Sequence, residues 1–394
     1  MNIYYDRRAK KWFFLSNLTK MTFGSSRLPI QSLDALPVDN IHSFQVQSLN
    51  NNIGPLIGIL TGRGKDHSVV GNGPFFKELQ KEILKNGGIS VVFTPQDLNE
   101  ETIDGFVYSP EEGKWFPILC PLPHLVFNRV PFRSLEKSSS FEDCFRVFKD
   151  RDIPFFNPCF LNKYELHQLL MKDSILRPYL PETILASTES LLYEFLKTHN
   201  NLYLKPVSGA KGKGIYQIFL HQNETIELNG LKQSYSFSNF PAFWNEWEDA
   251  LTEGLYIAQE TIVPSLFDGK RFDFRILAHS TKKGYQVTGT GVRLSKDQEI
   301  TTHVPNGGVL IPYEQIQTAQ HDQFFEMVVE RAGNILTAEK GFFGEFSIDA
   351  GVTETGKYVI YEINSKPMSF DEKEIEKRRI QTLAQLFAKM AGFD

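Results

Sequence analysis

The spacing of apolar positions changes along the chain, and each change predicts a different kind of element. Near the start, IYY and WFFL are short aromatic runs either side of a basic turn at 6–11, followed by apolar alternation at Phe44 and Val46. Such runs between polar turns predict a small antiparallel β unit. From Pro55 the pattern differs. LIGIL is a continuous apolar run of the kind found in buried parallel strands, and it leads into the polar stretch TGRGKDHSVVGNG. PFFKELQKEILKNGG then has helical spacing, with Phe76, Leu79, Ile83 and Leu84 apolar and Gly87 at the stop, and ISVVF supplies another strand. The order β, α, β predicts an α/β domain over 55–157.

Beyond two proline-containing dipeptides at 157–160, Asn162 is the expected N-cap of a helix that starts at Lys163. Glu165 falls in its first turn, Leu166, Leu169 and Leu170 on its buried face, and Pro178 and Pro181 beyond its end. The reading gives three parts: a small β-rich unit over 1–54, the α/β domain over 55–157, and a last domain over 158–394. In that last domain LYLK and IYQIFL read as strands flanking a loop, and LYIAQETIV, FDFRIL, YQVTGTGVRL and the final pair around GEFSIDAGV and YVIYEIN read as further strands.

Composition narrows the function classes. A net charge of −5 argues against non-specific nucleic-acid binding, which needs a basic footprint. The three cysteines, Cys120, Cys144 and Cys159, have neither metal-ligand nor redox spacing, so a reducing, cytoplasmic setting is expected. No run approaches the roughly 20 apolar residues that span a bilayer, and the N-terminus has no convincing cleavage site, so neither a membrane span nor secretion by that route is expected. The 33 phenylalanines read as core filling.

The candidate chemistry lies in the last domain. The loop in NLYLKPVSGAKGKGIYQIFL carries Gly209, Gly212 and Gly214 with Lys205, Lys211 and Lys213. Glycines let backbone amides approach an anion, and the lysines add charge, so a flap over nucleotide phosphates fits better than an ordinary turn. It joins two strands, whereas a P-loop leads into a helix. The earlier GRGKDHSVVGNG lacks the Gly-Lys-Ser/Thr ending of a P-loop. Gln259, Glu260, Thr261 and Ile262 end a strand whose backbone could meet an adenine edge. Asp273 and Arg275 share one strand face, and Arg293 lies on a further strand; two arginines could clamp a phosphoryl group, or simply form surface ion pairs. Asp349, Glu362 and Asn364 bring three hard oxygens together if a hairpin folds Asp349 beside the other two, since Glu362 and Asn364 alternate along one strand. This set suits Mg²⁺, and the alternative is a solvated polar face.

Taken in order, Lys163, KP-x-SGAKGKG, AQETI, D-x-R and D…E-x-N make the C-terminal 235 or so residues resemble an ATP-grasp domain. The NK-plus-PET helix, SGAKGKGIY, FDFRIL and YEINSKP more narrowly resemble the YheC/YheD family of spore-coat-associated ATP-grasp proteins. The resemblance implies an ATP-grasp fold preceded by a Rossmann-like pre-ATP-grasp domain and the small β unit, α/β and α+β in class. It implies ATP contacts at Lys163, Lys205, Ser208, Gly209, Lys211, Gly212, Lys213, Gly214, Gln259, Glu260, Thr261, Ile262 and Asp273, the last near the ribose. Mg²⁺ ligands would be Asp349, Glu362 and Asn364, with Arg275 and Arg293 near the transferred phosphoryl group. His303 departs from the asparagine that relatives often carry before the Gly-Gly pair. The implied activity is an ADP- and acylphosphate-forming ligase that joins a small-molecule or peptide carboxylate to an amine or similar nucleophile. The rival implied by the same resemblance is a spore-coat assembly protein that binds ATP with little catalysis, with spore-coat proteins as partners. A substrate pocket is expected between the α/β domain and the central lobe, with Arg63, His67 and Arg129 as candidates to meet a carboxylate.

Overall fold

The structure, a computed structural model, describes residues 1–15, 20–35, 40–209, 213–295 and 308–393. The aromatic runs at the start form a seven-stranded sheet in which Asn2–Asp6 lies between Lys11–Leu15 and Ile41–Gln45, with Tyr5 opposite Trp12 and Ile3 opposite Phe14. It is mixed, not purely antiparallel. Lys11–Leu15 runs parallel to Leu28–Leu33, and Met21–Phe23 parallel to Asn52–Gly54, because in each case other strands intervene in sequence and no tight turn links the pair.

The α/β sheet follows. Leu56–Leu60, buried throughout, pairs in parallel with Ile89–Phe93 on one side and Leu125–Asn128 on the other, and the helix Gly73–Lys85 makes the crossover, capped by the Asn72 side chain on Phe75 N at 3.2 Å. A hairpin, Thr102–Ser109 with Lys114–Pro121, extends one edge. Trp12, Phe14, Phe23 and Phe44 of the first sheet share a core with Val91, Phe93, Ile103 and Phe116 of the second. The polar tips of two of the aromatics are satisfied across that junction: Trp12 Nε1 donates to Leu119 O at 2.7 Å, and Leu119 N donates to Tyr5 Oη at 2.9 Å.

Two further sheets face each other across a cleft. The first, antiparallel, has Asn201–Pro206 between Tyr256–Glu260 and Tyr216–Leu220, and Leu202, Leu204 and Ile218 bury one face against Phe243 and Trp244 of the helix Phe240–Thr252. By alternation Tyr203 and Lys205 face the other way, into the cleft. The second sheet runs Val309–Ile311, Gly284–Leu294, Lys270–Thr281, Glu345–Val352, Tyr358–Asn364, packed on the helix Ala319–Lys340 through Phe274, Ile276, Phe325 and Val328. The last helix, Lys373–Met390, returns to the α/β domain, where Leu383 and Phe387 pack with Phe76, Phe127 and Phe156. Among the described residues no helix is long and apolar enough to cross a membrane.

Candidate functional site: a cleft between two sheets

Asn162 Oδ1 accepts from Tyr164 N at 2.9 Å and Glu165 N at 3.2 Å, so the helix Lys163–Met171 begins at Lys163. This cap sets Lys163 at the floor of a cleft of about 220 Å³, where its amine pairs with Glu362. Lys205 comes from the opposite sheet. Its amine is buried and donates to Gln259 Oε1, a neutral partner, while Gln259 Nε2 donates to Thr183 Oγ1 at 3.0 Å. A lysine can only donate, so the Gln259 amide is oriented, with its oxygen on Lys205 and its nitrogen on Thr183. Burial first, and then the nearby Lys163 charge, pull the Lys205 amine down to about 8, with Glu362 acting the other way.

The acidic side of the cleft is built by strand register. Asp273 stands opposite Arg293, Arg275 opposite Asp349, Asp349 opposite Glu362, and Ser347 opposite Asn364. Directly opposed residues put their side chains on one face, so two carboxylates and an amide share a surface. The chemistry of this set, hard oxygens with room for further oxygen ligands from a substrate, fits Mg²⁺. Arg293 binds Asp273 with Nε on Oδ1 at 2.7 Å and Nη2 on Oδ2 at 3.0 Å, and also reaches Asp349 Oδ2 at 3.1 Å. Burial disfavours the Arg293 charge, but Asp349 and Asp273 outweigh it and hold the guanidinium more firmly protonated than usual.

A register shift after Asp349 leaves Tyr361 as an extra residue between Glu362 and Ile360. The bulge brings Tyr361 to the cleft wall, and Gly351 makes room for it: a Cβ there would lie 2.5 Å from the phenol oxygen. Burial pushes the Tyr361 hydroxyl up to about 12. Gly214, at φ +72°, is required for a different reason, since a Cβ there would also crowd the Tyr256 hydroxyl at 2.9 Å.

The cleft lining thus includes Lys163, Lys205, Gln259, Glu260, Ile262, Asp273, Arg293, Asp349 and Glu362. Glu260 is anchored, its Oε1 accepting from Glu182 N at 2.8 Å. The loop after Pro206 adjoins it through Ile215, with Ser208 and Gly209 at one end and Lys213 exposed at the other. Lys211, Gly212 and His303 lie outside the described residues. Arg275, opposite Asp349 in the register, donates to Met368 O at 2.7 Å and Ser369 O at 3.2 Å over the Phe370 ring. Arg129 is not positioned as expected. It is 8% exposed, donates to Pro367 O at 2.9 Å and lies 3.7 Å from the fully buried Glu345, so it braces the chain after Asn364 from behind. Arg63 is tied to Asp97, Thr94 and the carbonyl of His67. Thr183 and Tyr361 were not singled out by the sequence. A register bulge leaves no local mark, and Thr183 matters only through Gln259, 76 residues away.

Two lobes closing on a cleft with a lysine from each side and an acidic hairpin at its floor define the ATP-grasp class. A family profile described as YheC/D like ATP-grasp matches residues 152–392, and the chain belongs to that family. It is similar to endospore coat-associated protein YheD of Bacillus subtilis strain 168, 31% identical over 342 residues that cover 80% of this chain and 73% of the relative. It is also similar to endospore coat-associated protein YheC of the same organism, 23% identical over 307 residues, 74% of this chain and 84% of the relative. Among solved structures, D-alanyl-alanine synthetase A of Vibrio cholerae superposes with a TM-score of 0.55 at 10% identity, covering 86% of this chain and 99% of that one. VanG D-Ala:D-Ser ligase of Enterococcus faecalis gives 0.50 at 13%, with the same coverage. The fold is that of ATP-grasp ligases.

Proposed function

We propose that this chain is an ATP- and Mg²⁺-dependent, ADP-forming ligase. The observation that carries the reading is the meeting, in one cleft, of Lys163 and Lys205 with Asp349 and Glu362, with Asn364 two residues further along the Glu362 strand. A largely desolvated ammonium whose one hydrogen-bond partner among the described residues is an amide oxygen is poorly compensated, and an anion such as a phosphate would complete it. The strand end Gln259–Glu260–Thr261–Ile262 would receive the base, Asp273 the ribose side, and the loop at 208–214 would cover the phosphates.

When bound at Asp349, Glu362 and Asn364, Mg²⁺ supplies charge neutralisation for phosphoryl transfer. Lys163 and Glu362 neutralise each other in the free chain, and an anion at Lys163 with a cation at Glu362 splits that pair. Lys205 and Lys163 hold the phosphates, and Arg293 holds the Asp349 carboxylate in place. A substrate carboxylate oxygen attacks the γ-phosphorus as the bond to ADP breaks. An amine then attacks the acyl carbon, phosphate leaves, and a proton is released with the amide. No protein nucleophile is needed. Closure of the loop over the cleft would exclude water from the acylphosphate.

The relatives' names favour a second reading, in which the chain binds ATP to assemble with spore-coat proteins, at the coat and not solely in the cytoplasm. Measuring ADP release against pooled amino acids and peptides separates the two. Turnover that needs an acceptor supports the ligase, whereas tight nucleotide binding with no turnover on any acceptor supports assembly.

A further inference from the structure

The cations that surround the floor of the cleft are mostly matched to carboxylates. Arg293 holds Asp273 and Asp349, Lys163 holds Glu362, Lys366 holds Glu136, and Arg379 holds Glu345. Lys205 and Arg275 are met by uncharged oxygens, of the Gln259 amide and of two backbone carbonyls, and Arg133 differs from all of these. It opens the short helix Arg133–Glu136 of the α/β domain, is half-buried, and makes no ion pair among the described residues. Its guanidinium carbon stands 4.9 Å from the centre of the Phe160 ring, which also receives Lys366 Nζ at 4.3 Å. Phe160 lies three residues before Lys163, and its backbone N–H is fixed on Glu136 Oε2 at 2.8 Å. Arg133 is therefore held against the segment that leads into the cleft, at the junction of two domains. Burial lowers the hold on its proton, and Glu136 and Glu362 act the other way, so it lies within the electrostatic reach of the cleft's acidic floor.

The same junction carries exposed apolar surface. Lys366 Nζ donates to Val130 O at 3.3 Å and Arg129 Nη2 to Pro367 O at 2.9 Å, so the segments 129–130 and 366–367 are laced together. Immediately beyond these ties stand Phe132, 55% exposed, and Met368, 53% exposed. Large apolar side chains at this exposure, beside a partly desolvated arginine that has no ion pair among the described residues, make a surface suited to a ligand with an apolar body and a negative end.

We propose that Arg133 anchors a carboxylate of the substrate, carried on an apolar body that lies along Phe132 and Met368. The anchored carboxylate is not the one that is phosphorylated. A guanidinium that grips both oxygens bidentately withdraws the lone pairs that an attack on phosphorus needs. The substrate class is thus an acid that keeps a free carboxylate through the reaction, such as an amino acid or peptide end with an apolar side chain. This rests on the ligase reading above, and its test separates the two.

N-acetyl-L-phenylalanine and N-acetyl-L-phenylalaninamide, which differ by one charge, are titrated calorimetrically into wild type, Arg133→Met and Arg133→Lys, each with and without Mg·AMP-PNP. Arg133→Met keeps the stem over Phe160 and removes the charge; Arg133→Lys keeps the charge and removes the fork. Wild type is expected to bind the acid about tenfold or more tighter than the amide, the strength of a charge-assisted pair. Arg133→Met should bring that ratio to about one, Arg133→Lys should leave it intermediate, and Mg·AMP-PNP affinity should stay within about twofold in both. A wild type without acid preference, or an Arg133→Met that keeps it, overturns the proposal. If Mg·AMP-PNP does not bind wild type but the acid preference is present and lost in Arg133→Met, the ligase reading fails and the anchor stands.

Discussion

Arg293 grips Asp273 with two hydrogen bonds, of 2.7 and 3.0 Å, from directly opposite it on the neighbouring strand, and the same guanidinium extends 3.1 Å to Asp349. All three side chains are buried. Removing one member of a buried pair strands charge away from water, so Arg293→Met is expected to destabilise the fold by about 3–5 kcal/mol. Urea unfolding at neutral pH measures this; a loss below about 1 kcal/mol would mean the pair behaves like an exposed one.

Glu362 sits at the other limit. Its side chain is 31% exposed and pairs with Lys163, so Glu362→Gln should change stability by less than about 1 kcal/mol. Its effect should fall on the metal: the strengthening of ATP binding by Mg²⁺ should vanish, because one of two carboxylates in the oxygen set is gone. Calorimetric titration of ATP with and without Mg²⁺ in this variant reads both.

The Lys205 amine, lowered to about 8 chiefly by burial, gives a pH test. In the free chain the ammonium is present below about 8 and is lost as pH rises through that value. ATP affinity should therefore fall between pH 8 and 10, by up to about tenfold per unit for one coupled proton, and Lys205→Met should flatten the profile while lowering affinity at pH 7. For stability the sign is opposite: a lysine whose folded value lies below its unfolded one disfavours the fold in the range where it must stay charged.

Glu345, Arg379 and His279 form a buried network at the start of the strand that carries Asp349. Burial alone would raise the Glu345 carboxyl, but Arg379 and His279 overcome it and hold the group below the usual range. Because the folded value is depressed, its contribution is present above the unfolded value of about 4.3 and is lost as pH falls through the folded one. Glu345→Gln should cost about 3–5 kcal/mol at pH 7, with the difference from wild type shrinking under strong acid. Chemical denaturation across that pH range checks it.

Much of this site was legible because its determinants are local. Asn162 caps the helix its sequence position suggested, the apolar run LIGIL is a buried parallel strand, and the turn after Asp349 folds that residue opposite Glu362. What stayed hidden depends on partners far away in sequence. Arg129 looked like a substrate ligand until its Pro367 and Glu345 contacts, more than 200 residues on, showed it facing inward. Arg133 has no local signature, since what sets it apart is a place over the Phe160 ring without an ion pair among the described residues. Arg275 shares a strand face with Asp273, yet its guanidinium is held by the carbonyls of Met368 and Ser369.

The central claim, that Lys163, Lys205 and the acidic hairpin form a Mg²⁺–ATP site, is tested most directly by titrating ATP into the purified chain in Mg²⁺ and in EDTA. The site described here predicts binding in Mg²⁺ that weakens at least about tenfold in EDTA and in Lys205→Met. Equal affinity in both solutions, or no binding in Mg²⁺, would contradict it.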